Sequence, residues 1–212
     1  MPRIDDYKKA LELAKEKLKS MNPKRIADQS GSKFEVDESQ NACLRLNFLN
    51  KEVGILWPEI KFLPLQDGSE VPIQQQVLIL HYLLGCPGSK LEGEWIAYQE
   101  IPDGRFYLDA FVRRAKEPML KAFGHRPELL VKLCEQVYGA TPFDQGDCSV
   151  VVQAFPKVPV ALVLWRGDEE FPPDGNILFD RSISDILSAE DVAWLAGMII
   201  YPLIGMAAKG DK

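Results

Sequence analysis

Histidine is scarce in this 212-residue chain: His81 and His125 are the only two, and they form no His-x-x-x-His pair. That spacing excludes the helical two-histidine metal site, and no local arrangement of cysteine with either histidine supports a zinc site. The cysteines, Cys43, Cys86, Cys134 and Cys148, lie far apart. They lack the clustered run of an iron–sulfur centre, so buried free thiols are expected and no metal is assigned. Also missing are a Gly-x-Ser-x-Gly elbow and a phosphate loop ending in Lys-Ser or Lys-Thr, the local signatures of hydrolase and nucleotide sites. Basic charge is not in excess: 25 Lys and Arg stand against 31 Asp and Glu, a formal charge of -6. Nucleic acid is therefore not an expected partner. Met1 to Lys24 is interrupted by charge and has no apolar secretory core, which makes the cytoplasm the expected location. There is no internal repeat and no low-complexity tract.

What is present is ordinary globular material. Apolar residues make up 46% and charged residues 26%, and Phe48, Trp57, Phe62, Trp95, Phe111, Trp165 and Trp194 are spread along the whole chain. A single α+β domain over residues 1–212 is expected, with antiparallel β segments packed by about four to six helices. Two closely packed lobes are the alternative.

Ile4, Tyr7, Leu11, Ala14, Leu18 and Met21 recur at helical steps, and Asn22-Pro23 ends that helix or begins a short second turn containing Ile26 and Ala27. After Gly31 the pattern alternates. Phe34 and Val36, then Leu44, Leu46 and Phe48, then Val53, Ile55 and Trp57 read as a small antiparallel meander with a polar turn between its first two strands. Pro72 to Gly85 is apolar on several faces, as a buried helix is. Pro102-Asp103-Gly104 suggests a turn between short strands, and Pro118 a kink or restart within a helix containing Phe111, Ala115 and Met119. Arg113, Arg114 and Lys116 read as a solvated helix face. Pro127 to Gly139 is a further helix. Cys148–Phe155 and Val158–Trp165 form the strongest strand pair, with Pro156-Lys157 as their turn and Pro159 favouring an edge or a bulge. Ser188, with Asp191 three residues on, starts the last helix. Its uncharged stretch Val192–Ala208 is divided by Pro202 and is short for a bilayer. A buried helix is expected there, with no membrane, and its apolar surface also offers a route to self-association.

The chemistry-bearing candidates are two polar clusters. Asp168, Glu169 and Glu170 occupy a loop stiffened by Phe171-Pro172-Pro173, with Trp165 and Arg166 at its rim. Two of three adjacent acids can face a cation or a basic partner. Glu92-Gly93-Glu94-Trp95 sets charge and an aromatic ring beside a glycine, and Asp180-Arg181 follows a short apolar run. Glu94, Trp95, Trp165, Arg166, Asp168, Glu169, Glu170 and Asp180 are thus the candidate ligand- or partner-binding residues. No catalytic residue is assigned.

The order of these motifs resembles the DUF3786 family. The resemblance is carried by the Pro72–Gly85 helix, Glu92-Gly93-Glu94-Trp95, Glu117-Pro118-Met119, the valine-rich pair, Trp165 to Pro173, and Asn176-Ile177-Leu178-Phe179-Asp180. It covers nearly the whole chain. The family is bacterial and archaeal and of uncharacterised function, and its members are common in anaerobes. Some members are similar to proteins with an added iron–sulfur domain of the kind associated with corrinoid proteins. This chain has no closely spaced cysteine run, so no cluster is carried over and no cofactor is assigned. The resemblance implies a role near redox or corrinoid metabolism. Because the sequence has no compact catalytic motif, an accessory protein that binds a small molecule or another protein through the Trp165 to Pro173 loop is the expected function. The competing reading is an enzyme with a pocket near the acidic loop, which would need Glu94, Asp168, Glu169, Asp180 and His81 to converge.

Overall fold

The computed structural model describes residues 4–37, 42–88 and 90–210. The fold is α+β, with two antiparallel sheets. The chain divides into two compact units.

The first unit comprises residues 1–90 with 155–157 and 185–187. Helix α1 (Ile4–Lys19) buries Leu11, Ala14 and Leu18, the apolar stripe visible in the sequence. Asn22 then caps a second helix rather than merely ending the first. Its side-chain oxygen accepts from the backbone N–H groups of Lys24 and Arg25, at 3.0 and 3.3 Å, and opens α2 (Pro23–Ser30). Strands β1 (Lys33–Val36), β2 (Ala42–Phe48), β3 (Lys51–Trp57) and β4 (Lys61–Phe62) pair antiparallel in chain order. The polar turn between β1 and β2 lies outside the described residues. Leu44 faces Ile55 and Leu46 faces Val53, and all four side chains are buried. Helix α3 (Ile73–Gly85) buries Val77 to Leu80 in succession and then Tyr82 and Leu83, so most of its circumference is covered.

Tyr82 organises the centre of this unit. Its hydroxyl donates to the Ser30 carbonyl at 2.5 Å and accepts the Lys157 N–H at 3.2 Å, while its ring stacks on Phe155 at 4.2 Å. Burial pushes the phenol well above its ordinary pKa. Where α3 ends, a Cβ on Gly85 would lie 2.1 Å from the carbonyl oxygen of Ile186, so only glycine permits that approach.

The second unit holds residues 91–154, 158–184 and 188–212. Its sheet runs β5-β9-β8-β7-β6, where β5 is Trp95–Ala97, β6 Thr141–Pro142, β7 Cys148–Phe155, β8 Val158–Trp165 and β9 Asp174–Asp180. The valine-rich hairpin is present as the sequence implied. Val158 to Leu164 are all buried, and because successive strand residues point to opposite faces, β8 is covered on both sides. Pro159 does not mark an edge. It lies near the start of a central strand, outside the β8–β9 pairing, which runs from Val160 to Trp165.

Residues 95–108 depart from expectation. Pro102-Asp103-Gly104 is a turn, yet it leads into α4 (Gly104–Phe111) and not into a second strand. Tyr98 stacks on Phe111 at 4.1 Å and donates to the Ala189 carbonyl at 2.7 Å, so a buried aromatic pair selects the helix over local propensity. Helix α4 continues through a π turn (Val112–Lys116) into α5 (Glu117–Phe123). Pro118 accounts for the widening: its ring excludes the carbonyl of Arg114, and the Glu117 N–H bonds instead to Val112, five residues back.

Helix α6 (Pro127–Tyr138) ends at Gly139, which is left-handed at φ 61°. After the single turn α7 (Ile183–Ile186), α8 (Ala189–Gly210) runs 22 residues. The Ser188 hydroxyl accepts the Asp191 N–H at 3.2 Å, as a cap does. Pro202 does not divide this helix. It sits on the exposed side, and the adjacent Ile199 carbonyl accepts from the Tyr138 hydroxyl at 2.8 Å. By length and composition α8 could cross a membrane, and half of its most apolar window is buried inside the protein.

Candidate functional site

Strand β9 carries the sequence-derived candidates at its two ends. At the C-terminal end Asp180 pairs with Trp95 of β5, and at the N-terminal end Asp174 pairs with Trp165 of β8. Six residue steps separate Asp174 from Asp180, about 20 Å at the usual rise. Glu94 and Asp180 therefore do not converge with Asp168 and Glu169, and His81 belongs to α3 of the first unit.

The C-terminal end is a structural knot. Asp180 is 3% exposed and accepts four hydrogen bonds: Glu92 N–H at 3.0 Å, Gly93 N–H at 2.7 Å, Ser182 N–H at 3.0 Å and the Ser182 hydroxyl at 2.6 Å. Burial alone would raise its pKa; the Ser182 hydroxyl and the backbone N–H groups outweigh that and hold it below the ordinary carboxylate value. Glu94 forms a bidentate pair with Arg181, at 2.6 and 2.5 Å, which lowers the pKa of the acid and raises that of the base. Trp95 leans on Phe143 at 5.0 Å.

The loop at the N-terminal end is fixed from within. Asp168 Oδ1 accepts the N–H groups of Phe171 and Glu170, both at 2.8 Å, which lowers its pKa. The Asp168 N–H returns to the Phe171 carbonyl at 2.9 Å. The Arg166 guanidinium bonds Glu128 in the first turn of α6, and the Arg166 N–H donates to Asp147 at 2.7 Å. These partners are intramolecular, so Asp168 and Arg166 shape the loop. Glu169, Glu170 and Phe171 face outward, Phe171 at 67% exposure. With His125 the loop borders a shallow hollow of about 480 Å³.

A larger cleft lies where sequence reasoning assigned nothing. Arg113, Glu117, Pro118, Lys121, Ala122 and Arg126 form one wall, and Ile204, Ala207 and Ala208 of α8 the other, around about 750 Å³. That is an ordinary size for a small-molecule site. Pro118, Ala122, Ile204 and Ala207 make the lining apolar, and Arg113, Lys121 and Arg126 set cations at it against one carboxylate among the described lining residues, that of Glu117. An unbroken α-helix would carry Lys121 about 80° around the axis from Arg113. The wider π turn takes back part of that rotation, and Arg113, Glu117 and Lys121 all reach the cleft.

The basic set Arg113, Arg114 and Lys116 is thus not a uniform solvated face. Arg113 lines the cleft, Arg114 lies 4.8 Å over the Trp194 ring, and Lys116 pairs with Asp174 at 3.3 Å. Neither Arg113 nor Lys121 has an ion-pair partner among the described residues. The signal available in the sequence was Pro118 inside a helix with cations one turn to either side. Its meaning depended on α8, more than seventy residues away.

Cys43, Cys86 and Cys134 are buried free thiols, and burial pushes Cys134 up to about 12. No group of three His, Cys, Asp or Glu residues suited to a metal ion occurs among the described residues.

A helix-rich α+β chain with these motifs in this order defines the class. The protein belongs to the DUF3786 family, described as a domain of unknown function, whose model matches residues 22–201. No curated protein and no solved structure matches the chain.

Proposed function

We propose that this protein is a ligand-binding accessory protein and that the cleft between the π-turn–α5 segment and α8 is its binding site. The observation that carries the reading is the pairing of an apolar-lined cleft of about 750 Å³ with a π turn that presents Arg113, Glu117 and Lys121 to it. π turns of this kind recur at functional sites. The acidic loop supports a second reading, protein recognition, through the exposed Phe171 on a backbone already fixed by Asp168.

The cleft reading is tested with an uncharged fluorescent probe, 6-propionyl-2-dimethylaminonaphthalene. Saturable one-site enhancement is expected. Ala208→Trp, which fills the cleft from an exposed position, should remove it while far-UV circular dichroism and the unfolding midpoint stay unchanged. Saturable binding that survives this substitution would overturn the reading. So would its absence in the native protein, with Phe171→Ser then the next variant to examine.

A further inference from the structure

We infer that the cleft selects an anionic amphiphile, a small molecule with an apolar body and a carboxylate or phosphate head; this rests on the binding reading above. The chain carries a formal charge of -6, yet Arg113, Lys121 and Arg126 gather at one apolar-lined cleft where Glu117 is the one acid among the described lining residues. A cationic rim on an acidic protein concentrates anions locally and repels cations.

The chemistry of each group favours the same ligand. Arg113 and Lys121 are without ion-pair partners among the described residues, so neither charge is spent on a neighbouring acid. Arg126 donates Nε–H to the Ala122 carbonyl at 3.0 Å, which fixes its guanidinium plane beside the cleft. Arg126 thereby adds a fixed positive charge at the rim, while Arg113 carries the guanidinium fork that carboxylate and phosphate oxygens accept. In the same lining, Pro118, Ala122, Ile204 and Ala207 offer no polar side chain, which suits a hydrocarbon body. A purely polar anion would leave that lining unused, and a neutral hydrocarbon would leave Arg113 and Lys121 without ion-pair partners.

The test is displacement of the same neutral probe by decanoate, decyl phosphate, decan-1-ol and decyltrimethylammonium, each below its micelle concentration. Both anions should displace the probe at concentrations at least about tenfold lower than decanol, as charged hydrogen bonds allow, and the ammonium least well. The ratio of decanoate to decyl phosphate distinguishes the two head groups. The double variant Arg113→Gln, Lys121→Gln should lose the anion preference, decanoate and decyl phosphate then displacing the probe no better than decanol. Raised salt should narrow the preference in the native protein. Equal displacement by decanol and decanoate would overturn the charge inference and leave the binding reading intact; absence of probe binding would remove both. A preference unchanged in the double variant would also overturn it. So would cosedimentation with anionic phospholipid vesicles by a protein that ignores free decanoate, since the cations would then be serving a lipid surface.

Discussion

Asp180 Oδ2 accepts the backbone N–H of Gly93 at 2.7 Å, joining residues 87 apart in the chain and tying the approach to β5 to the end of β9. The carboxylate is buried and all of its hydrogen bonds are made within the protein, so its role is architectural. Asp180→Asn replaces an acceptor oxygen with an amide donor facing N–H groups. The expected loss at neutral pH is about 1–3 kcal/mol. Because the folded-state pKa of Asp180 is depressed, its contribution is present above about pH 4 and fades as pH falls through the folded value. Urea unfolding at a series of pH values checks this: the gap between native and variant midpoints should close in acid.

Glu94 and Arg181 sit one residue beyond, in bidentate contact but on the surface. Solvent and salt screen such a pair. Glu94→Gln should shift the thermal midpoint by less than about 3 °C, and the shift should disappear in high salt. A large, salt-independent shift in differential scanning fluorimetry would mean that Glu94 supports more than this pair.

Tyr82→Phe keeps the ring stacked on Phe155 and removes the hydroxyl that satisfies the Ser30 carbonyl and the Lys157 N–H. Leaving buried groups without partners costs about 1–3 kcal/mol. Equilibrium denaturation should show that loss with an unchanged slope, because the surface exposed on unfolding is the same.

Glycines in two helices should respond in opposite directions to alanine. At Gly104 an added Cβ would lie 2.2 Å from the Tyr98 carbonyl oxygen, so Gly104→Ala must displace backbone and should destabilise the protein. At Gly205 in α8 nothing lies within 4 Å, and Gly205→Ala should stabilise it by roughly 0.5–1 kcal/mol. Thermal melts of the two variants check the sign.

Thiol reactivity should follow burial. Cys148 is half-buried, whereas Cys134 is buried and its thiol is pushed up to about 12. With a chromogenic disulfide reagent at pH 8, Cys148 should react first and Cys134 only on unfolding. Mass mapping of the labelled peptides identifies the order.

Local pattern made much of the fold legible. The α1 stripe, the meander from Phe34 to Trp57, the buried α3 and the hairpin turning at Pro156-Lys157 each announce themselves through spacing of apolar residues. Strand β9 shows in the sequence only as the short apolar run Ile177-Leu178-Phe179, because Gly175 and Asn176 mask its alternation and pairing with β5 and β8 supplies the rest. Helix α4 was hidden for a similar reason: the Tyr98–Phe111 stack that accompanies it joins residues whose proximity exists only once the chain has folded.

The candidate residues divide along the same line. Their types made Asp168, Asp180, Arg166 and Glu94 conspicuous, but whether a carboxylate is free for a ligand depends on the donors that surround it. Tertiary structure surrounds Asp180 with the N–H groups of a distant loop, closes Asp168 on its own turn, and separates the two clusters by the length of β9. It also sets α8 against a π turn, opening a cleft that no local spacing describes. Sequence by itself determined most of the elements, their buried faces and the family, because helix and strand periodicity and burial preference are written locally. Which polar groups are consumed and which face an open space was decided by packing between residues far apart in the chain.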